Sequence, residues 1–274
     1  MSRTWLITGC STGLGRALAT YLLSVGEQVA VASRNPADVA DIVAAAPERA
    51  IALGLDVAVA SAPASAVAAV EARFGGIDVL VNNAGYGYVA AIEEGDEAAI
   101  KAMFEVNFFG ALRMIRAVLP GMRNRRSGHI IQISSLAGRI TNPATGFYSA
   151  SKHALEAING ALARELAGSG VKVSSIAPGM FPTDFNGRSL QVGNREIDTY
   201  KNTAHARVDL IRTVAMTTGD PEKFAAAVKD LAGMADPPMQ LLLGSDAYGA
   251  TTNRVREQLD SIEAYKALSF STDA

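Results

Sequence analysis

Short, largely apolar runs at residues 5–7, 29–32, 51–53, 79–81, 130–133 and 171–176 alternate with longer stretches whose apolar residues return every three or four positions. The short runs are too brief for helices and read as strands buried on both faces. The long stretches, at 16–23, 36–46, 64–74, 97–122 and 148–166, read as amphipathic helices, with Pro120 near the end of the fourth. From 178 to 218 the period dissolves into a stretch rich in Gly, Asn, Arg and Thr. Order returns at Asp220-Pro221, with proline in the first turn of a helix predicted to run to about 234. Residues 239–244 read as a seventh strand and 246–268 as a last helix, broken near its start by Gly249. This alternation predicts an α/β fold: a doubly wound parallel sheet of about seven strands (a Rossmann fold) with helices on both faces. One domain over residues 1–274 is expected, with a substrate loop or lid at about 178–218, since long aperiodic loops in compact domains are usually functional. A permanently ordered surface excursion is the plainer alternative.

Composition adds exclusions. Of the 274 residues, 49% are hydrophobic and 19% charged, which supplies a large core and excludes a disordered chain. A formal net charge of -2 gives no basic footprint, so no nucleic-acid partner is expected. Cys10 is the sole cysteine and excludes an internal disulfide. His129, His153 and His205 are far apart in sequence, so no metal is expected. No apolar run is long enough for a membrane span and the first residues lack a signal-peptide core. The expectation is a soluble cytoplasmic protein.

The first strand runs into Thr8-Gly9-Cys10-Ser11-Thr12-Gly13-Leu14-Gly15, directly before a helix. There Gly9 allows a tight turn, Gly13 lets the backbone approach a pyrophosphate, and Gly15 lets helix and strand pack closely. The helix N–H groups then face the anion. The spacing differs from the commoner Gly-x-Gly-x-x-Gly, and strand-to-helix turns also carry glycine for geometry alone. At the end of the second strand, where an NAD site carries an acid for the adenosine ribose, stand Ser33-Arg34-Asn35. A hydroxyl and a guanidinium suit a 2′-phosphate, which favours NADP (NADPH) over NAD. By itself Arg34 would be an ordinary solvated cation. Asp56-Val57, after the third strand, can meet an adenine amino group, and Asp56 is otherwise a helix cap.

Tyr148 and Lys152 stand one helical turn apart on a shared face. A cation beside the phenol stabilises phenolate and lowers the tyrosine pKa, as acid/base interconversion of alcohol and ketone requires near neutral pH. Ser134-Ser135 closes the fifth strand, where a hydroxyl can bind a carbonyl oxygen or cap a turn. Asn107 lies inside the apolar stretch Phe104-Glu105-Val106-Asn107-Phe108-Phe109 and must find polar partners, a neighbouring strand among them.

Together these motifs resemble the short-chain dehydrogenase/reductase family over about residues 4–183. Thr8 to Gly15 looks like its cofactor turn. Asn82-Asn83-Ala84-Gly85 resembles the motif that stabilises the central sheet near the adenosine. Asn107, Ser135, Tyr148 and Lys152 match its catalytic tetrad one by one, and Pro178-Gly179 with Thr183 resembles the segment that holds the nicotinamide carboxamide. The turn Thr8-Gly9-Cys10-Ser11 and the tail at 237–273 look most like a 17β-hydroxysteroid-dehydrogenase-like subgroup.

The resemblance implies roles. In reduction, hydride passes from the nicotinamide to a carbonyl carbon, and Tyr148 protonates the developing alkoxide. Ser135 hydrogen-bonds the same oxygen. Lys152 lowers the tyrosine pKa and binds the nicotinamide ribose, and Asn107 holds a water in a relay to Lys152. Tyr86, Tyr88, Leu136, Phe147, Met180, Phe181 and Phe185 are candidates for an apolar substrate wall beside the motifs, or else plain core. His205 is a candidate polar contact at the far end of a substrate. The family also implies a homodimer or homotetramer, often through the helices carrying Asn107 and Tyr148. The expected function is an NADP-dependent carbonyl reductase or alcohol dehydrogenase, interconverting a ketone and a secondary alcohol on an apolar small molecule, cyclic ones included. An isomerase or dehydratase of the same fold is one alternative. A non-catalytic NADP-binding redox sensor is another, though a sensor has no need of Tyr148 and Lys152 together.

Overall fold

Neighbouring residues of each apolar run go to opposite faces of one sheet. In β1 (Thr4–Ile7), Trp5 and Ile7 join a core that holds Leu18, Leu22, Val29, Val31, Phe224 and Val228. Leu6 joins a second core on the other face, with Ala30, Leu80, Met114, Val118 and Ile130. Burial on both faces is why these runs are apolar throughout.

The structure is a computed structural model and describes residues 2–183, 187–213 and 219–273. With β1, six further strands form an all-parallel sheet: β2 (Gln28–Ser33), β3 (Ala50–Gly54), β4 (Val79–Asn82), β6 (Gly128–Ile133), β7 (Val171–Pro178) and β9 (Gln240–Leu243). A separate parallel pair joins β5 (Gly87–Val89) to β8 (Leu190–Val192). The order in the large sheet is β3-β2-β1-β4-β6-β7-β9. Chain direction across the sheet therefore reverses between β1 and β4, and the loops leaving their C-terminal ends diverge to open a crevice.

On the Trp5 side lie α1 (Gly13–Ser24) and α8 (Pro221–Gly233), and α2 (Ala40–Ala44) adds Ile42. On the Leu6 side lie α3 (Ala62–Phe74), α5 (Ala111–Arg125) and α6 (Gly146–Glu165). The remaining helices are α4 (Glu97–Phe104), α7 (Ala206–Thr213), α9 (Ser245–Ala264) and α10 (Lys266–Phe270). Asp220 caps α8 by accepting from the Glu222 and Lys223 amides at 2.8 and 3.3 Å, as the Asp-Pro start predicts. Among the described residues no helix is long and apolar enough to cross a membrane.

Three expectations change. The helix expected over 97–122 is α4 and α5 joined by a π-helical turn, Glu105–Gly110, and α5 continues beyond Pro120 to Arg125. Gly249 does not break the last helix, because a single interior glycine costs only about 1 kcal/mol; the interruption falls at Tyr265, between α9 and α10. The stretch read as aperiodic carries β8, a turn at Asp198–Tyr200, a π-helical turn at Lys201–His205, and α7. These pieces are too short for a hydrophobic period to register.

Candidate active site

The turn after β1 is shaped by close approach. Gly9 and Gly13 have φ of +73° and +62°, where a side chain is strained. A Cβ on Gly9 would meet Ala84 Cα at 2.8 Å, and one on Gly15 would run into the Asn83 amide and the Gly9 carbonyl. Asn83 braces the turn by donating to the carbonyls of Thr8 and Gly9 at 2.9 and 3.0 Å. Thr8 Oγ1 accepts from the Asn83 and Ala84 amides, each at 3.0 Å. Asn82 ties β4 to α5 by donating to the Ala111 carbonyl at 3.1 Å. The α1 N-cap, Thr12, makes no side-chain cap, and no acid stands in the first turn. The leading N–H groups of a twelve-residue helix thus face the crevice beside a left-handed glycine, which fits a phosphate group.

A cavity of about 1000 Å³ runs from this turn across the sheet to α7. Gly9, Ser11, Thr12, Gly13, Leu14, Ser33, Arg34, Asp56, Val57, Asn83, Ala84 and Gly85 line one end, whereas Gly15 supports the turn from behind. Arg34 is exposed there and has no salt bridge among the described residues. Arg16, the other cation nearby, is held by Asp41 and the Asp38 carbonyl. The Ser33 hydroxyl is turned to the Asn35 carbonyl at 2.5 Å. Asp56 does cap a turn, taking the Ala58 amide at 2.9 Å. Pro178, Gly179 and Thr183 line the middle, and Thr183 lies so close over Gly13 that a Cβ there would touch it at 3.5 Å. The donors and the glycine cradle suit a dinucleotide.

Deeper in, Ser135 begins a helical turn, Leu136–Gly138, and accepts the Ala137 amide at 3.1 Å. Its hydroxyl also hydrogen-bonds Tyr148. Tyr148 and Lys152 lie one turn apart on α6, both buried. Burial pushes the Tyr148 phenol up to about 12 against the opposing hydrogen bond from Ser135. Burial likewise draws Lys152 down to about 8, with Glu156 pulling the other way. The ammonium lies 5.9 Å from the ring centroid and donates to the Ile133 carbonyl at 2.9 Å, so desolvation dominates.

Asn107 sits on the π-helical turn, and its partners come from the loop after β4 and from α6 rather than from a strand. It accepts the Tyr86 amide at 3.0 Å and donates to the Tyr86 carbonyl at 2.9 Å and to Ser151 Oγ at 3.1 Å. Gly85 faces both Asn107 and Lys152, since its Cβ would stand 3.1 Å from Asn107 Oδ1 and 3.4 Å from Lys152 Nζ. Glu156, which sequence reasoning missed, extends the row on α6 and takes Ser175 Oγ at 2.6 Å and Arg139 at 2.9 Å. The i, i+4, i+8 spacing of Tyr148, Lys152 and Glu156 was the available signal.

Tyr86, Leu136, Met180 and Phe181 reach the cavity wall with Ser135. Phe181 is largely committed to the core, edge-on to Phe224 at 5.5 Å. Tyr88 and Phe147 do not reach the cavity: they pack on each other at 6.0 Å, and the Tyr88 hydroxyl accepts the Asp96 amide at 2.8 Å. Phe185 lies outside the described residues. His205 is buried away from the cavity, with Nε2 at 2.7 Å from Glu94 Oε2. Glu94 Oε1 accepts the amides of Glu196 and Ile197, both at 2.7 Å, which ties the 187–213 segment to the body. Sequence reasoning also missed Ile140, Arg188, Arg207, Leu210 and Ile211 on the wall. Among the described residues no cluster of His, Cys, Asp and Glu is arranged to hold a metal.

The model of a family described as short chain dehydrogenase matches residues 3–192. The chain is 35% identical over 274 residues to Oxidoreductase BOA17 of Botryotinia fuckeliana, covering 99% of this chain and 100% of that one. A short-chain dehydrogenase from Streptomyces avermitilis, solved by crystallography, shares 36% identity and a TM-score of 0.94 over 100% of both chains. A gluconate 5-dehydrogenase from Burkholderia cenocepacia, solved with NADP and tartrate, shares 27% identity and a TM-score of 0.76, covering 91% of this chain and 96% of its own.

Proposed function

The chain belongs to the short chain dehydrogenase family, and from that premise we propose that it is an NADP-preferring reductase or dehydrogenase interconverting a ketone and a secondary alcohol. The observation that carries this reading is the group of half-buried Ser135 with buried Tyr148 and Lys152 on the wall of a cavity whose other end is the glycine turn. Arg34, exposed at the adenosine end without a carboxylate partner among the described residues, supports NADP. The proposal includes the 17β-hydroxysteroid-dehydrogenase-like subgroup and an apolar substrate.

Gly9, Ser11, Thr12, Gly13, Leu14, Ser33, Arg34, Asp56, Val57, Asn83, Ala84, Gly85, Pro178, Gly179 and Thr183 would hold the dinucleotide. When bound, it supplies or accepts the hydride. Tyr148, held protonated by burial, donates its proton to the oxygen of the substrate in the reducing direction. Ser135 Oγ accepts the Ala137 amide, so its hydrogen is left to aim at Tyr148 or at that oxygen. Lys152 keeps most of its charge at neutral pH and loses it as pH rises through about 8. Its cation offsets the charge left on the phenol. Asn107 fixes the loop at Tyr86 and leaves one Oδ1 lone pair for a water between itself and Lys152.

A second copy of the chain is also part of the reading. From Asn253 to Asp273 every residue is exposed, and Val255, Leu259 and Ile262 form an apolar row on α9 that is 56%, 56% and 67% exposed. This exposed apolar row supports a homo-oligomer built on this arm.

The test is a panel of apolar ketones with NADPH, followed by absorbance of the reduced nicotinamide. Tyr148→Phe should abolish turnover and keep NADPH binding, and Lys152→Ala should lose turnover and weaken binding. A Tyr148→Phe enzyme with most of its kcat would overturn the proton-donor assignment.

A further inference from the structure

The far end of the cavity is not uniformly apolar. On α7, Arg207, Leu210 and Ile211 stand at i, i+3 and i+4 and share the face that lines it. Ile211 packs into the cluster of Val89, Ala144 and Val208, and Ala144 lies two positions before the helix that carries Tyr148. This face therefore belongs to the substrate end, and Arg34 and the glycine turn lie at the other.

Arg207 has no salt bridge among the described residues, and its Nε is buried without a hydrogen-bond partner. The acid two positions on, Asp209, is bound by Arg195 at 2.7 and 2.8 Å. Of the acids that line the cavity, Glu105 pairs with Arg113, Asp56 takes the Ala58 amide at 2.9 Å, and Asp246 takes the Met180 amide at 2.7 Å through Oδ2 while its Oδ1 is buried without a hydrogen-bond partner; among the described residues none of them forms a salt bridge with Arg207. Arg188 adds a second guanidinium to the wall. A buried guanidinium N–H without an acceptor is costly unless a ligand supplies one, and a guanidinium matches a carboxylate with parallel hydrogen bonds.

Building on the ketone/alcohol reading above, we propose that the substrate is amphipathic: an apolar body carrying the reacting carbonyl or alcohol, and a carboxylate that Arg207 binds. Leu210 and Ile211 cover the apolar body, and the guanidinium fixes which end enters first.

The experiment uses the full chain and a homologous series of methyl-ketone carboxylates beginning at levulinate, each beside its neutral methyl ester. The readout is the ratio of kcat/KM for acid over ester. Wild type should favour the acid, and Arg207→Leu should lower the ratio by about tenfold to a hundredfold, the worth of a charge-assisted contact. Arg207→Lys should keep part of the preference, and Arg207→Glu should reverse it toward the ester. A wild type that prefers esters throughout the series, or a ratio that Arg207→Leu does not move, overturns the proposal. Calorimetric binding of decanoate to the NADP-loaded protein separates the two readings. Binding lost in Arg207→Leu without turnover of any ketone would sink the ketone/alcohol reading and keep the carboxylate site, whereas decanoate binding that is absent or indifferent to Arg207 sinks the site. NADPH affinity is measured alongside, and a parallel loss in Arg207→Leu would reassign the residue to a cofactor phosphate and overturn the proposal. Melting curves exclude a misfolded variant, with Arg207→Lys as the second variant should Arg207→Leu fail to fold.

Discussion

Truncating Glu94 tests whether the wall formed by residues 187–213 is held in place from a distance. The Glu94 carboxylate is buried, and burial alone would raise its pKa. The Ile197 amide, His205 and the Glu196 amide outweigh that and hold it below the usual range. Glu94→Ala removes all three contacts, each 2.7 Å long, and leaves His205 buried without its acceptor. A hydrogen bond to a charged group shifts a local equilibrium by about tenfold to a hundredfold, and the three are not additive. The docked state of the segment should therefore weaken by roughly a hundredfold to a thousandfold. Glu94→Gln keeps an acceptor for the amides and should weaken it by about tenfold. Hydrogen exchange is read at α7, whose amides do not bond Glu94, so faster exchange there reports undocking rather than the lost bonds themselves. Because Arg207, Leu210 and Ile211 line the cavity from α7, KM for substrate should rise while NADPH affinity changes little. Unchanged exchange at α7 together with an unchanged KM would refute the positioning role. If exchange in the wild-type apo protein is already fast and slows on adding ligand, the segment works as a lid; equal protection in both states marks a fixed wall.

Arg34→Asp should reverse the cofactor preference, read as kcat/KM for NADPH against NADH; equal use by wild type, or no change on mutation, counts against the 2′-phosphate role. His129 is buried against Ser174 Oγ at 3.0 Å and drawn down to about 4 by burial, then by Lys172 and Arg3. The unfolded chain takes that proton near 6.5 and the folded one only near 4, so stability should fall by about 3 kcal/mol as pH drops across that window. His129→Gln should flatten this acid limb in urea melts, and an identical limb in the variant would show that other groups cause it. Leu259→Glu with Ile262→Glu should reduce the particle mass seen by light scattering; a wild type that is already monomeric would remove the oligomer reading.

Much of the site was legible because its signals are local. The glycines of Thr8–Gly15, the Tyr148/Lys152 turn and Pro178-Gly179 each act within a few residues, and strand and helix periods placed them at strand ends. The same periods fixed the α/β class, since Trp5, Leu6 and Ile7 can all be apolar only where both faces are covered. Other facts depend on contacts between distant parts of the chain. Strand order decides that the loops after β1 and β4 part to form the crevice. Asn107 meets Tyr86 only through the π-helical turn, which no periodicity announces. Tyr88 and Phe147 share the composition of a substrate wall, but packing turned them inward. His205 looked like a loop residue because Glu94, its partner, is 111 positions away. Likewise the burial that pushes the Tyr148 phenol up is a property of the whole fold.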